Sequence, residues 1–518
     1  MNKLNTDKVS DESSSNTRAL NRSLGLFDST MIVAGSMIGS GIFIVTGEMS
    51  REIGDARWLL VAWVIAGLLT LTAALSYGEL AAMMPHAGGQ YVYLRDAYSP
   101  LWGFLYGWTL FLVIQTGTIA ASAVGFSRYL GVLFPMVSES NYIIPPILIL
   151  PGYALSLSVT QLIALSVVAL LTIMNSRGLK YGKGVQNVLT SIKIGSLLGV
   201  IFLGIVIGWN WSTFKMNFGH GWAIQPTAAA ASGSATGTAA GMLIALCVAQ
   251  IGSLFAADAW NNITFTAGEV KNPGRNVPLS LALGTFIVIG LYLLANFAYL
   301  VVLPLTNVQT TPADRVAASM LQVIFPFAGA QLMAAAIMVS AFGCMNGLIF
   351  SGARAYYAMA LDGVFFRQAS VLNAANVPGS ALVMQSAWAM ILILIRTHDV
   401  AKGTYGNLYS NLLDYVVSAA LIFYILTIGA IFRLRRTRPH AARPYKAFGY
   451  PVIPFFYILA AAAILLVLFL YRPATTIPGV VIVLLGVPAY FAFRRQSLRV
   501  GLPLGSPWPP ASARDSES

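Results

Sequence analysis

The residue types most able to do chemistry in this chain lie where an apolar segment has least reason to carry them. Gly35-Ser36-Met37-Ile38-Gly39-Ser40-Gly41-Ile42-Phe43 puts three glycines and two serines in the middle of the first long apolar run. A helix interrupted there frees backbone N–H and C=O groups, which lipid tolerates only where they face protein or a water-filled cavity. A second apolar run breaks at Ser253-Leu254-Phe255-Ala256-Ala257-Asp258-Ala259-Trp260-Asn261-Asn262, where a carboxylate and two amides intrude. Two interrupted helices in corresponding halves of a chain are the sequence pointer to a transporter's binding site. Such breaks suit a zwitterion. The N–H groups and positive dipole end of a half-helix beginning near Ser40 and Gly41 would hold a carboxylate. Carbonyls of Met37 and Ile38 in the first break, and of Phe255, Ala256 and Asp258 in the second, would accept from an ammonium. With Gly39 between them, these are the candidate substrate-binding residues. The plainer reading of the glycines is close helix packing, which Gly35 and Gly39 fit, but Ser40-Gly41 and the second break go beyond it.

Two buried charges add to the pattern. A carboxylate at mid-membrane, such as Asp258, costs about 2.5–3.5 kcal/mol on insertion scales, so it needs a cavity or a donor. Its plain role is to cap the second half-helix. Its functional role is to accept a second positive charge on a substrate. Lys193 lies nine residues beyond Gly184, roughly 13 Å into the membrane at about 1.5 Å per residue. That is too deep for easy snorkelling, so the lysine should face the bundle. Intramembrane ionisable groups are functional by default, the alternative being a lysine simply buried against a carbonyl.

These residues need a scaffold of membrane-spanning helices, and the composition supplies one. A chain of 518 residues with 57% hydrophobic and 9% charged residues cannot hide its apolar surface in a water-soluble core, and reads as an all-α polytopic membrane protein. At about 20 residues per span, candidates fall near 27–49, 58–82, 100–133, 158–176, 184–209, 238–268, 278–303, 330–360, 380–396, 407–432, 452–471 and 477–493, about twelve helices. The net charge of +13 sits in short loops between spans, which argues for orientation rather than nucleic acid as a partner. An inside N-terminus puts most Lys and Arg residues on one side and both termini in the cytoplasm. Cys247 and Cys344 fall within spans and read as small packed hydrophobes.

The connections carry further signals. Residues 1–22 read as a disordered cytoplasmic tail, 210–237 as a flexible external loop rich in Ala, Ser and Gly, 433–451 as a basic cytoplasmic loop, and 494–518 as a second cytoplasmic tail. Met84-Pro85-His86-Ala87-Gly88-Gly89-Gln90-Tyr91-Val92-Tyr93-Leu94-Arg95 reads as an interfacial helix at the cytoplasmic surface. The segment from about 304 to 329 is long enough to lid a vestibule. Arg354 is explained by snorkelling or loop pairing. Glu79 and Glu269, near cytoplasmic helix ends, can pair with basic neighbours to latch a gate, although the pairs are open.

Taken together, the glycine-serine stretch, Ala87-Gly88-Gly89-Gln90-Tyr91, Trp260-Asn261-Asn262, Glu269-Val270-Lys271-Asn272-Pro273 and Arg275-Asn276-Val277-Pro278 resemble the amino acid-polyamine-organocation family. The L-type amino acid transporter branch is the most similar. The resemblance runs from about residue 24 through Arg443-Pro444-Tyr445-Lys446 and Gly449-Tyr450-Pro451. It implies a five-plus-five inverted repeat, 23–209 and 238–432, with two added helices in 452–493. It also implies that Phe255 gates the substrate, and that Lys193 replaces a sodium ion between helices 1 and 8 and serves coupling. Ala257 and Ala259 depart from the branch, where an aromatic residue precedes the Asp position and a glycine precedes Trp.

On this reading the chain is a sodium-independent secondary transporter of small to medium neutral L-amino acids. It works by alternating access, through exchange or proton-coupled uptake, with cationic amino acids or polyamines as the alternative substrates. A membrane-embedded enzyme is the competing class. It lacks a convergent catalytic set, because His86, His220, His398 and His440 all fall in loops without metal-ligand spacing. No nucleotide-binding loop, cofactor or metal is called for. The amino acid, the lipid bilayer and, through the titratable lysine, protons are the expected partners. The eukaryotic branch joins a single-span glycoprotein through a cysteine between helices 3 and 4. The segment 134–157 has no cysteine here, so no disulfide-linked heavy subunit is expected, and a prokaryotic inner membrane is the expected location.

Overall fold

The computed structural model describes residues 22–150, 152–219, 222, 238–399, 404–405 and 408–499. Most of both expected tails and nearly all of the Ala/Ser/Gly-rich external stretch lie outside the described residues. The chain enters the bundle at α1 (Leu26–Met37) and continues, after a break, into α2 (Gly41–Ile53). Next come α3 (Ala56–Met83), α4 (Gln90–Ala97), and α5 (Pro100–Thr109), which passes through one π turn into α6 (Gln115–Leu133). The first half closes with α7 (Val159–Ser176), α8 (Leu179–Phe202) and the short α9 (Trp211–Phe218). The second half begins with α10 (Ala239–Ala256), a break, and the single-turn α11 (Asn262–Phe265). It continues through α12 (Pro273–Val302), α13 (Leu305–Thr310), α14 (Val316–Ile324), α15 (Gly329–Leu361), α16 (Gly379–Leu394) and α17 (Leu408–Thr437). Two last helices, α18 (Val452–Tyr471) and α19 (Pro473–Arg499), complete it.

The long helices form because their apolar runs satisfy every backbone group internally, which lipid demands. Among the described residues ten helices are long and apolar enough to span a membrane, α1 and α2 together make a span bent by 41°, and the shorter apolar α16 falls at the expected ninth position. This is a polytopic, predominantly helical membrane protein. Their ends are fixed by local chemistry. The Asp55 carboxylate accepts the N–H groups of Arg57 and Trp58 to start α3, and Ser158 with Gln161 forms a reciprocal capping pair that starts α7. α3 packs against α12, α6 against α15, and α1 against both α8 and α12, so the two broken helices lie at the centre. Below, the proximal end is the one at which the chain enters at Leu26, and the distal end is opposite.

Three connections differ from their sequence reading. The segment read as a plain loop between helices 3 and 4 folds into β1 (Tyr142–Leu150) and β2 (Tyr153–Ser158), turning at Gly152 with φ +85°. It joins β3 (Ile395–Asp399) and β4 (Thr404–Tyr405) in an antiparallel sheet of order β1-β2-β3-β4 at the distal end. Pro145 and Pro146 are admissible because β1 is the edge strand. The amphipathic segment before Arg95 is not interfacial. α4 is a buried wedge under α11, since Gly88 N–H donates to Phe265 O at 3.1 Å and Gln90, Tyr91, Tyr93 and Leu94 are buried. Gly88 (φ +106°) and Gly89 (φ +48°) make the turn, and a Cβ on Gly89 would collide with Thr264. The long 304–329 connection is helical and clamped to α2 by the Arg51–Asp314 pair at 2.7 Å and by Gln309 Nε2 donating to Ser50 O at 2.9 Å.

Candidate substrate site

The break between α1 and α2 is held open by donors from three other helices. Lys193 of α8, 1% exposed, donates Nζ–H to Gly35 O at 2.6 Å and to Ile38 O at 2.9 Å. From α15, Ser340 Oγ lies 3.2 Å from both Ile38 O and Gly39 O, and Cys344 Sγ–H donates to Ser36 O at 3.0 Å. From α12, Tyr292 OH lies 2.9 Å from Met37 O and 3.1 Å from Ala256 O, so one phenol links the two breaks. α1 ends at Met37 and Ile38 is extended, with ψ +93°, so the last carbonyls of α1 lack a following helical turn to donate to them. Among the carbonyls expected to receive an ammonium, Met37 O and Ala256 O thus share one phenol donor and Ile38 O already has two donors. Gly343 of α15 makes the space for the lysine, because a Cβ there would lie 2.6 Å from Lys193 Cε and 3.0 Å from Nζ.

The second break lies directly against the first. A Cβ on Gly41 would lie 3.0 Å from Ala256 Cα and 3.6 Å from Phe255 Cδ1, so α2 begins in contact with the end of α10. Phe255 is buried at that end. Asp258 does not cap the second half-helix. Asn261 occupies the cap position of α11, and the Asp258 carboxylate instead accepts from Tyr424 OH of α17 and from Ala259 N–H. Ala259, at one of the positions that departs from the branch pattern, has φ +66°, a left-handed conformation that disfavours any side chain. Beside it Asn261 Nδ2 donates to Gln90 Oε1 at 3.0 Å, and Gln90 Nε2 to Thr427 Oγ1 at 2.9 Å, tying the break to α4 and α17.

Two small cavities meet at Asp258. One, about 20 Å³, has Thr70, Leu254, Trp260, Tyr424 and Tyr457 in its wall, and the other, about 10 Å³, has Gln90, Tyr106 and Asn261. Each is of the size of one water molecule, so an amino acid can enter only if the helices around the breaks separate. Ion pairs join separate segments at both ends. Proximally, Glu79 accepts from Arg435 at 2.6 and 2.9 Å and from Ala447 N–H at 2.7 Å, and the fully buried Arg354 lies 3.3 Å from Glu269. Asp362 meets Tyr91 and Arg95 there as well. Distally, Glu139 binds Arg128 at 2.8 Å and Arg396 at 3.4 Å, and Glu52 binds Arg472.

Met37, Ile38, Gly39, Ser40, Gly41, Phe255, Ala256 and Asp258 are thus brought together where the two breaks meet, and Lys193 adjoins them. Arg354 does not snorkel, because it is buried on Glu269 and against the Phe350 ring. Cys344 does more than pack, since it donates to the first break. Sequence reasoning passed over Tyr292, Tyr424, Ser340 and Gly343. The pairing of Tyr292 with Asn296, one turn apart in an apolar helix, was the available signal: Asn296 accepts from Thr46 of α2 at 2.7 Å.

Known proteins are similar to this chain along most of its length. The serine/threonine exchanger SteT of Bacillus subtilis (strain 168) is 29% identical over 492 residues, covering 92% of this chain and 98% of its own. The b(0,+)-type amino acid transporter 1 of Mus musculus is 27% identical, covering 92% and 89%. The large neutral amino acids transporter small subunit 2 of Mus musculus is 28% identical, covering 91% and 81%. The model of the amino acid permease family matches residues 24–492. That match runs from just before α1 into α19 and takes in both broken helices, so the chain belongs to the amino acid permease family.

Proposed function

We propose that this amino acid permease moves small to medium neutral L-amino acids without sodium, by alternating access and in exchange for an internal amino acid. The observation that carries the proposal is the Lys193 ammonium on Gly35 O and Ile38 O between α1, α8 and α15. A fixed positive charge there takes the place of a dissociable cation. The substrate carboxylate binds the first-turn N–H groups of α2 at Ser40 and Gly41, and its ammonium binds carbonyls of Met37, Ile38, Phe255, Ala256 and Asp258. Phe255 acts as the gate. Exchange is supported by the name of the Bacillus subtilis relative, a serine/threonine exchanger. The two breaks, five spans apart, support the five-plus-five inverted repeat. Transport rather than catalysis, insertion in a prokaryotic inner membrane with both termini cytoplasmic, and operation without a disulfide-linked heavy subunit complete the reading. The last is supported by the chain's two cysteines, Cys247 and Cys344, both in helices.

A second reading has a specific observation behind it. Asp258 faces two cavities walled by Trp260, Tyr424, Tyr457 and Tyr106, and a carboxylate among aromatic faces suits an ammonium. A panel of radiolabelled amino acids in proteoliposomes, with and without internal amino acid, separates the readings. Uptake of neutral amino acids that requires internal substrate supports the first. Strong competition by lysine or arginine that disappears in Asp258→Asn establishes the second.

A further inference from the structure

Away from both breaks, the largest cavity among those described, about 570 Å³, opens at the proximal end between α3, the start of α12 and the basic segment before α18. Its floor is apolar, with Leu75, Leu279 and Ala282. Its rim holds Arg275 and the N-terminus of the 30-residue α12, and no acidic residue lines it. Tyr445 forms the far wall, inserted over Gly78, where a Cβ would lie 2.9 Å from its ring. Arg275 is exposed, has no ion-pair partner among the described residues, and has the exposed Lys271 and Lys446 close in sequence to the cavity lining. The apolar floor continues along α3 and α12 onto Leu68 and Phe286, which are 59% and 67% exposed and face outward from the bundle.

We propose that this cavity is a binding site for an anionic phospholipid. The three features match one amphiphile. A phosphate lies at the first turn of α12, where the helix dipole favours an anion although Pro273 has no N–H and those of Arg275 and Asn276 donate to Asn272 O. Arg275 supplies the planar donor for its oxygens, with Lys271 and Lys446 adding a basic rim. An acyl chain fills the floor over Leu75, Leu279 and Ala282 and leaves along the outward seam. A soluble anion would use the rim and leave the apolar floor without a partner, which is why a lipid is the occupant. Basic pockets at this depth are where anionic head groups bind, each Lys or Arg near the membrane surface contributing about five-fold in affinity. A bound lipid would bridge α12 to the segment before α18, whose Ala447 N–H and Arg443 meet Glu79.

The test is native mass spectrometry of the full-length protein in detergent, titrated with phosphatidylglycerol or phosphatidylcholine of the same acyl chains. The expected result is retention of phosphatidylglycerol several-fold above phosphatidylcholine. Arg275→Gln should lower that preference about five-fold, and Ala282→Trp, which fills the floor, should lower retention of both lipids. Leu279→Trp is the second floor variant if Ala282→Trp does not fold. Excess inorganic phosphate should displace little lipid. Equal retention of the two lipids, retention untouched by the Arg275 and floor variants, or ready displacement by phosphate overturns the proposal.

Discussion

Replacing Lys193 with methionine keeps an unbranched stem and removes the ammonium that joins the first break to α8. Two charge-assisted hydrogen bonds are lost, to Gly35 O at 2.6 Å and Ile38 O at 2.9 Å, each worth about 1.5–3 kcal/mol. Against this, relieving the desolvation of a buried ammonium returns several kcal/mol, so unfolding temperature should change little. The local effect does not cancel. Ile38 O keeps Ser340 Oγ at 3.2 Å, whereas Gly35 O keeps no side-chain donor among the described residues. An orphaned buried carbonyl costs about 1–3 kcal/mol, a shift of about 5- to 150-fold in the equilibrium that closes the break. The assay is counterflow of a labelled neutral amino acid into proteoliposomes, alongside thermal unfolding of the purified variant. Gly343→Ala gives an independent route to the same state, because its Cβ would lie 2.6 Å from Lys193 Cε and 3.0 Å from Leu189 Cβ. It should slow exchange at least ten-fold in the wild-type background and much less beside Lys193→Met, since both act on one contact. Full turnover in Lys193→Met with normal insertion, or additive losses in the double variant, would refute this reasoning.

Four other outcomes follow from the geometry. Gly41→Leu should abolish binding in a folded, inserted protein, because even a Cβ there meets Ala256 Cα at 3.0 Å. Unchanged affinity by calorimetry contradicts it, and Ser40→Val should behave alike. Ala259→Gly should raise stability by about 0.5–1 kcal/mol, the relief of a left-handed alanine less the added freedom of the unfolded chain; an unfolding temperature that falls contradicts it. Glu269→Ala should cost about 3–5 kcal/mol by leaving Arg354 buried and unpaired, whereas Glu269→Leu with Arg354→Met should recover most of it. Thermal unfolding that ranks the double variant below the single one is the opposing result. Non-reducing electrophoresis of the native membrane should give one band that reductant leaves unmoved, and a reductant-sensitive heavier band would restore a covalent partner.

The spans were legible because an apolar run of membrane length has few other uses, and the two breaks because glycine, serine and aspartate are out of place at its centre. What spacing alone did not reveal was how the breaks are held. A tyrosine in an apolar helix reads as packing, so Tyr292 across both breaks and Tyr424 on Asp258 emerge only when α12 and α17 lie beside them. Asp258 was open between a cap and a binding group, and it is the turn with Ala259 at φ +66° that moves its carboxylate to Tyr424 instead of α11. The pairs formed by Glu79 and Glu269 join segments 356 and 85 residues apart, a choice that helix-end position does not make. The distal sheet was missed because two prolines in β1 argue against a strand, and an edge position removes that argument. α4 looked interfacial because its segment mixes Gly and Pro with amphipathic aromatic residues, yet Gly88 and Gly89 let it pass beneath α11 and bury Gln90, Tyr91 and Tyr93.

The central claim is that the ammonium of Lys193 stands in for a coupling cation, and sodium dependence tests it most directly. Proteoliposomes loaded with unlabelled neutral amino acid are placed in labelled substrate with sodium, or with potassium replacing it completely on both sides. Equal initial rates of counterflow in the two media are the predicted result. A rate that collapses without sodium, or that rises with an inward sodium gradient, contradicts the account.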